Sequence, residues 1–229
     1  MAYQAKGTCV SVEYLVLGML ENNVYLISDG ESTMVVDPSC KADVILEALG
    51  GRKVDAIVLT HRHFDHVGAA RALREKTGAP VIASAIDAPI ISGEKKLPRD
   101  DMRFAPCPVD HVVNDGDILK IGNMPWKVIL TPGHTEGSMC LFIDPQFGTD
   151  IAAAPVLVSG DTLFCGTVGR TDFIGGSMDD MRRSLKRLAM ELRTRRLFAL
   201  QRGAMSRRFG PSPLMRWMTT SGGRREMAS

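Results

Sequence analysis

Three of the chain's five histidines fall within six residues, in the run Thr60-His61-Arg62-His63-Phe64-Asp65-His66. A single histidine is usually a cap or a surface residue. Three with an aspartate between them form a cluster of nitrogen and oxygen donors, the set that suits zinc, iron or manganese. Two residues apart in an extended turn, His61 and His63 aim their imidazoles to the same side. Asp65 and His66 open the helix that follows and aim at a neighbouring point.

Two further candidates stand at equivalent places. His134 follows Thr131-Pro132-Gly133 after an apolar run ending at Leu130, and Asp161 follows Ser159-Gly160 after one ending at Val158. All these groups lie just past the C-terminal ends of expected strands, on loops that a rigid scaffold positions. One zinc ion takes about three or four protein ligands, so six groups imply a second ion. The expected division is His61, His63 and His134 around one ion, Asp65 and His66 on the other, and Asp161 bridging. Ions about 3.5–4 Å apart can hold a hydroxide that is nucleophilic at neutral pH and can polarise a carbonyl. Imidazole ligands need carboxylate or backbone partners to orient them. Asp37, at the end of its own strand, is one candidate, or else a cap for the helix expected at 41–50.

The elements that must carry these loops are legible in the apolar pattern. Runs at 23–28 and 33–36 flank Asp29-Gly30, a hairpin signal. Helical spacing follows at 41–50, closed by Gly50-Gly51. The run 54–59 reads as a strand buried on both faces, then come a helix at 66–77 and a strand at 81–83. The segment 92–108, rich in proline, charge and glycine, reads as a loop or lid. Strands at 118–121, 126–130, 139–143 and 155–158 precede a helix at 178–192 with Met181, Leu185, Leu188 and Leu192 on one side. Meanders followed by alternation with helices favour an α+β sandwich of two packed sheets with helices on the outer faces.

Bulk composition narrows the function classes. At 229 residues, 45% hydrophobic and 24% charged, the chain is long enough for one large domain with a substantial core. No apolar stretch approaches the roughly 20 residues of a membrane span, and the N-terminus lacks the apolar region of a signal peptide, so a cytoplasmic protein is expected. The five cysteines show no CxxC pair, against both a disulfide framework and a cysteine zinc ribbon. Most read as small buried hydrophobes; Cys165, close to Asp161, reads alternatively as a pocket wall. The net charge of +2 is uneven. Residues 201–229 hold six Arg and one Glu, a net of +5, which leaves −3 for the rest. A mildly acidic body does not read as a nucleic-acid binder, and the basic end reads as a solvated tail, with an acidic partner as the alternative.

The motifs resemble the metallo-β-lactamase fold superfamily. Thr60-His61-Arg62-His63-Phe64-Asp65-His66-Val67-Gly68 looks like its signature. Thr131-Pro132-Gly133-His134-Thr135-Glu136-Gly137-Ser138 and Ser159-Gly160-Asp161-Thr162-Leu163-Phe164 resemble its next two motifs. Gly169-Arg170-Thr171-Asp172-Phe173 with Gly175-Gly176-Ser177 is similar to the glyoxalase II-like small hydrolases within it, and Asn22 to Ile27 with Val36-Asp37-Pro38 also fits. The resemblance covers about 12–195, taken as the domain, with 196–229 as an atypical basic tail. It implies an αββα sandwich with two metal ions, zinc expected and iron or manganese possible, at one edge of the sheets. It also implies hydrolysis of a small-molecule thioester such as hydroxyacyl-glutathione, or of related esters and lactams. Metal-bound hydroxide would attack the carbonyl, with Asp65 as both ligand and proton shuttle. Arg170 and Asp172 match positions near the site and would brace their loop by pairing.

One departure conditions the activity. Family members follow the last helix with a strand and a Pro-Gly-His turn whose histidine completes the second metal position, yet no histidine follows His134. A shifted reading frame near 193–200 would explain the run from Phe198 onward; a divergent tail is the alternative. The second ion is then expected to be weakly held. Two other readings follow: a persulfide dioxygenase with mononuclear iron on His61, His134 and Asp161, a two-His, one-carboxylate set suited to oxygen chemistry, or a truncated, inactive metal-binding relic.

Overall fold

The computed structural model describes residues 3–5, 10–97, 104–144, 155–164, 166–192 and 198–200. Its first sheet has seven strands in sequential order: β1 (Tyr3–Ala5), β2 (Ser11–Leu17), β3 (Asn22–Ser28), β4 (Thr33–Val36), β5 (Ala56–Val58), β6 (Val81–Ser84) and β7 (His111–Val113). The early strands pair antiparallel as hairpins; from β4 onward pairing is parallel, with α1 (Ala42–Leu49), α2 (Phe64–Val67), α3 (Ala70–Thr77) and α4 (Ala88–Ile91) in the crossovers. The second sheet has the order β12 (Phe198–Leu200), β11 (Val156–Val158), β10 (Met139–Ile143), β9 (Met124–Leu130) and β8 (Ile118–Ile121), with α5 (Met178–Glu191) between β11 and β12.

Side-chain alternation builds three apolar layers. Tyr25 and Ile27 of β3 turn inward to meet the second sheet, while Val24 and Leu26 turn outward to the helices. In β9, Trp126 and Val128 face the inter-sheet core and Ile129 faces α5, where Leu188 and Leu192 cover it. A strand covered on both faces has no polar side, which is why these strands read as continuous apolar runs. Helix, sheet, sheet, helix is the αββα arrangement expected from the pattern.

Local departures have physical causes. The helix expected at 66–77 is broken in two. Gly68 packs so closely on the 38–39 backbone that a Cβ there would lie 2.3 Å from the Ser39 carbonyl oxygen, and the Ala69 N–H donates to the Pro38 carbonyl at 2.8 Å. Those contacts tie the helix entrance to the end of β4. In the segment 92–108, the described residues carry neither helix nor strand, but Cys107 is buried and its N–H bonds the Ile91 carbonyl. That end is anchored to the outer core rather than free to move as a lid. Past residue 195, where the domain was expected to end, β12 pairs in parallel with β11 through Val156↔Phe198 and Val158↔Leu200. Ala199 and Leu200 are buried, so the sandwich takes a strand from beyond that boundary. The basic run 201–229 and Cys165 lie outside the described residues.

Candidate metal centre

The strand ends deliver every group to one edge of the sandwich. After β4 comes Asp37, after β5 the run His61–His66, after β9 His134, and after β11 Asp161. His61, His66, His134, Asp37 and Asp161 are all buried. One ligand atom each from His61, His63 and His134 lies within 4.8 Å of the other two. His63 Nδ1 is 2.8 Å from His134 Nε2, and the ring centroids of His61 and His134 are 4.8 Å apart.

Asp161 stands between two groups. Its Oδ2 lies 3.4 Å from His134 Nε2, and its Oδ1 lies 3.2 Å from His66 Nε2. Asp65 Oδ2 is 3.7 Å from the same His66 nitrogen. Asp161 therefore links His134 to His66, and Asp65 lies on the far side of the latter.

Hydrogen bonds fix which nitrogen faces the centre. Asp37 accepts from the Thr60 N–H (2.8 Å), the Thr60 hydroxyl (2.6 Å) and His66 Nδ1–H (2.8 Å). With its proton given to Asp37, the Thr60 hydroxyl accepts from His61 Nδ1 at 3.1 Å. His134 Nδ1–H donates to the Arg170 carbonyl at 2.6 Å. The Nε2 atoms of His61, His66 and His134 are thereby turned inward. Helix α1 has no side-chain cap, so Asp37 serves the imidazoles rather than that helix; it sits at φ 51, a left-handed conformation disfavoured for a non-glycine residue.

Electrostatics divides the histidines. Burial, reinforced by the neighbouring imidazoles, pushes His61 well below its ordinary value. Burial likewise brings His63 down to about 3 and lowers His134 against the opposing pull of Asp161. These three are neutral at pH 7, the form in which imidazole ligates. Burial also opposes charge on His66, but Asp161 and Asp37 outweigh it and hold its value well above the usual range. Positive charge is thus favoured where two carboxylates converge.

Several supporting residues were not singled out from sequence. Asn22, at the start of β3, donates through Nδ2 to Asp65 Oδ2 (2.8 Å) and to the Asp65 carbonyl, fixing that carboxylate. Asp87 lies three residues past β6, the same topological place as the other acids, and that placement could have flagged it. The Phe173 ring approaches His63 edge-on at 5.2 Å and His134 at 5.8 Å, and forms an apolar wall beside them. Arg170 lies over that ring at 4.4 Å while pairing with Asp172 through two contacts of 2.9 and 2.7 Å. Both members of that pair are exposed, so the bridge itself adds little stability.

An αββα sandwich with a histidine–aspartate cluster at the strand ends defines a class, and the chain belongs to the metallo-β-lactamase superfamily, whose family model matches residues 17–199. That membership implies a metal-binding hydrolase. The chain is 34% identical over 185 residues to an uncharacterised protein of Aquifex aeolicus (79% of this chain, 84% of the relative). It is 32% identical over 173 residues to a hydroxyacylglutathione hydrolase of Ectopseudomonas mendocina, covering 74% of this chain but 57% of that enzyme. Among solved structures, the BLEG-1 B3 metallo-β-lactamase superposes with a TM-score of 0.71 at 28% identity, over 85% of this chain and 93% of that one. A di-iron-bound form of TTHA1623 gives 0.66 at 30% identity, over 83% and 91%. Among the described residues, no helix is long and apolar enough to cross a membrane.

Proposed function

We propose that the chain is a metal-dependent thioester hydrolase of the glyoxalase II-like type. The observation that carries this reading is a buried atom: His61 Nε2 has no hydrogen-bond partner among the described residues, and it faces His63 and His134. Burying such a group unpaired costs about 1–3 kcal/mol, a cost that a divalent cation there would remove, while the convergence of Asp161 and Asp65 on His66 Nε2 would suit a second. His61, His63 and His134 would hold one ion, Asp65 and His66 the other, with Asp161 between them. Zinc suits the donor set, and iron or manganese is compatible with it; the di-iron form of a 30% identical neighbour supports two adjoining positions. When bound, the ions would supply an activated water and a Lewis acid for the carbonyl.

The chain's own residues do the remaining work. Asp65, held by Asn22 and partly open to solvent, takes the proton from the attacking water and passes it to the departing sulfur. Phe173 screens one side of the reacting carbonyl from water. The exposed Arg170–Asp172 pair braces the loop that carries this ring. The hydroxyacylglutathione hydrolase among the relatives supports a small thioester as substrate. The free thiols of Cys40, Cys107 and Cys140 support a cytoplasmic setting.

The test follows thiol release from a hydroxyacyl-glutathione thioester, with zinc-loaded and chelator-treated protein, with and without oxygen. Release that needs metal but not oxygen is expected. Oxygen uptake with glutathione persulfide, and no thioester cleavage, would instead establish the dioxygenase reading.

A further inference from the structure

The two turns that carry the three neutral histidines are joined by a buried ion pair that touches none of the ligand atoms. Arg62 stands between His61 and His63, and its side chain is 2% exposed, that of Asp87 1%. Asp87 Oδ1 accepts from Arg62 Nη1 at 2.7 Å, and Oδ2 from the Arg62 backbone N–H at 3.0 Å. The same Oδ2 accepts from the Thr135 hydroxyl at 2.9 Å, and Thr135 directly follows His134. Arg62 Nη2 donates to the Ile174 carbonyl at 2.7 Å, next to Phe173. One carboxylate therefore binds the His61–His63 turn to the His134 turn, and its guanidinium partner adds the loop of the aromatic wall.

The space around the pair is shaped for it. A Cβ at Gly137 would lie 2.5 Å from Asp87 Cγ, and one at Gly175 would lie 2.6 Å from Arg62 Nη2. Two charges taken out of water are poor evidence of stabilisation, because desolvation offsets their attraction. Their multiple, directional contacts fix geometry instead.

We propose that Asp87 and Arg62 are positioning residues that set the separation of the His61–His63 and His134 turns, and with it the affinity of the metal position those histidines form. This rests on the metal reading given above. Partners that hydrogen-bond the ligands directly change affinity by about 10–100-fold when removed, and that range is the upper bound for a pair that acts through the turns carrying them.

The test measures zinc affinity by competition with a chromogenic chelator, alongside melting of the metal-free chain. Thr135→Val keeps the ion pair and removes the link to the His134 turn, with the bond to Ser138; it should weaken the first ion about tenfold, well beyond the small drop in metal-free melting that losing a buried hydroxyl brings. Thr135→Ser, which keeps the hydroxyl, should restore native affinity. Asp87→Asn alone strands a buried guanidinium and is expected to unfold, so Arg62→Met/Asp87→Asn, which removes both charges, is the second variant. It should fold and bind the first ion about a hundredfold more weakly. Native affinity in the valine and double variants would overturn the proposal, as would an affinity loss that merely tracks metal-free melting. A native chain that binds no ion would overturn the metal reading itself, and this inference with it.

Discussion

His134→Ala is expected to lose the tightly held ion and to cut kcat/KM for thioester cleavage by at least about a thousandfold, on the order of 4 kcal/mol of transition-state stabilisation. On the proposed division His134 would give Nε2 to the ion shared with His61 and His63, and the same nitrogen lies 3.4 Å from Asp161, the carboxylate proposed to face the second ion. Removing it thus strips one position of a neutral donor and frees the bridging carboxylate on that side. The structural cost is smaller, since outside the histidine cluster the imidazole makes one hydrogen bond, to the Arg170 carbonyl, and one edge contact, with Phe173. Metal content and kinetics should therefore collapse while the metal-free melting curve barely moves. His111→Ala is the matched control: that histidine is exposed on edge strand β7, and its loss should leave both readouts unchanged.

Gly169→Ala is expected to fail differently, damaging site and stability together. A Cβ at this position would stand 1.8 Å from the Asp161 carbonyl oxygen and 3.2 Å from His134 Nδ1. The obstacle is backbone, so no flexible side chain can swing away, and the 169–170 segment must move off Asp161. That motion carries the Arg170 carbonyl away from His134 and displaces a carboxylate that faces both positions. Overpacking of this kind costs about 1–3 kcal/mol, and here it also misaligns two ligands. A lowered urea midpoint with metal loss is the expected result. Native stability and metal content would show that the segment gives way without disturbing Asp161.

Much of this was legible in the sequence because the chemistry is concentrated. Three histidines and an aspartate in six residues need no tertiary information to suggest a metal, and strands buried on both faces announce themselves as apolar runs. The geometry extends that reading by showing Asp161 between His134 and His66, and Asp37 serving His66 instead of capping α1. What was illegible depends on contacts distant in sequence. Asp87 reaches Arg62 across 25 positions and Thr135 across 48, and nothing local distinguishes it from a turn aspartate. Asn22 reads as a strand residue until its amide meets Asp65. The helix break at Gly68 is set by the 38–39 backbone, which no helical periodicity encodes.

On the proposed division, His61, His63, His134 and Asp161 would furnish one position completely, and Asp65 and His66 with Asp161 would furnish its neighbour with fewer donors among the described residues. The most direct test is elemental analysis of the zinc-loaded full chain after exhaustive dialysis. One ion per chain should remain, with a second binding only when zinc is present in excess. A chain that retains no ion would contradict the metal centre, and two retained ions would contradict the inequality of its halves.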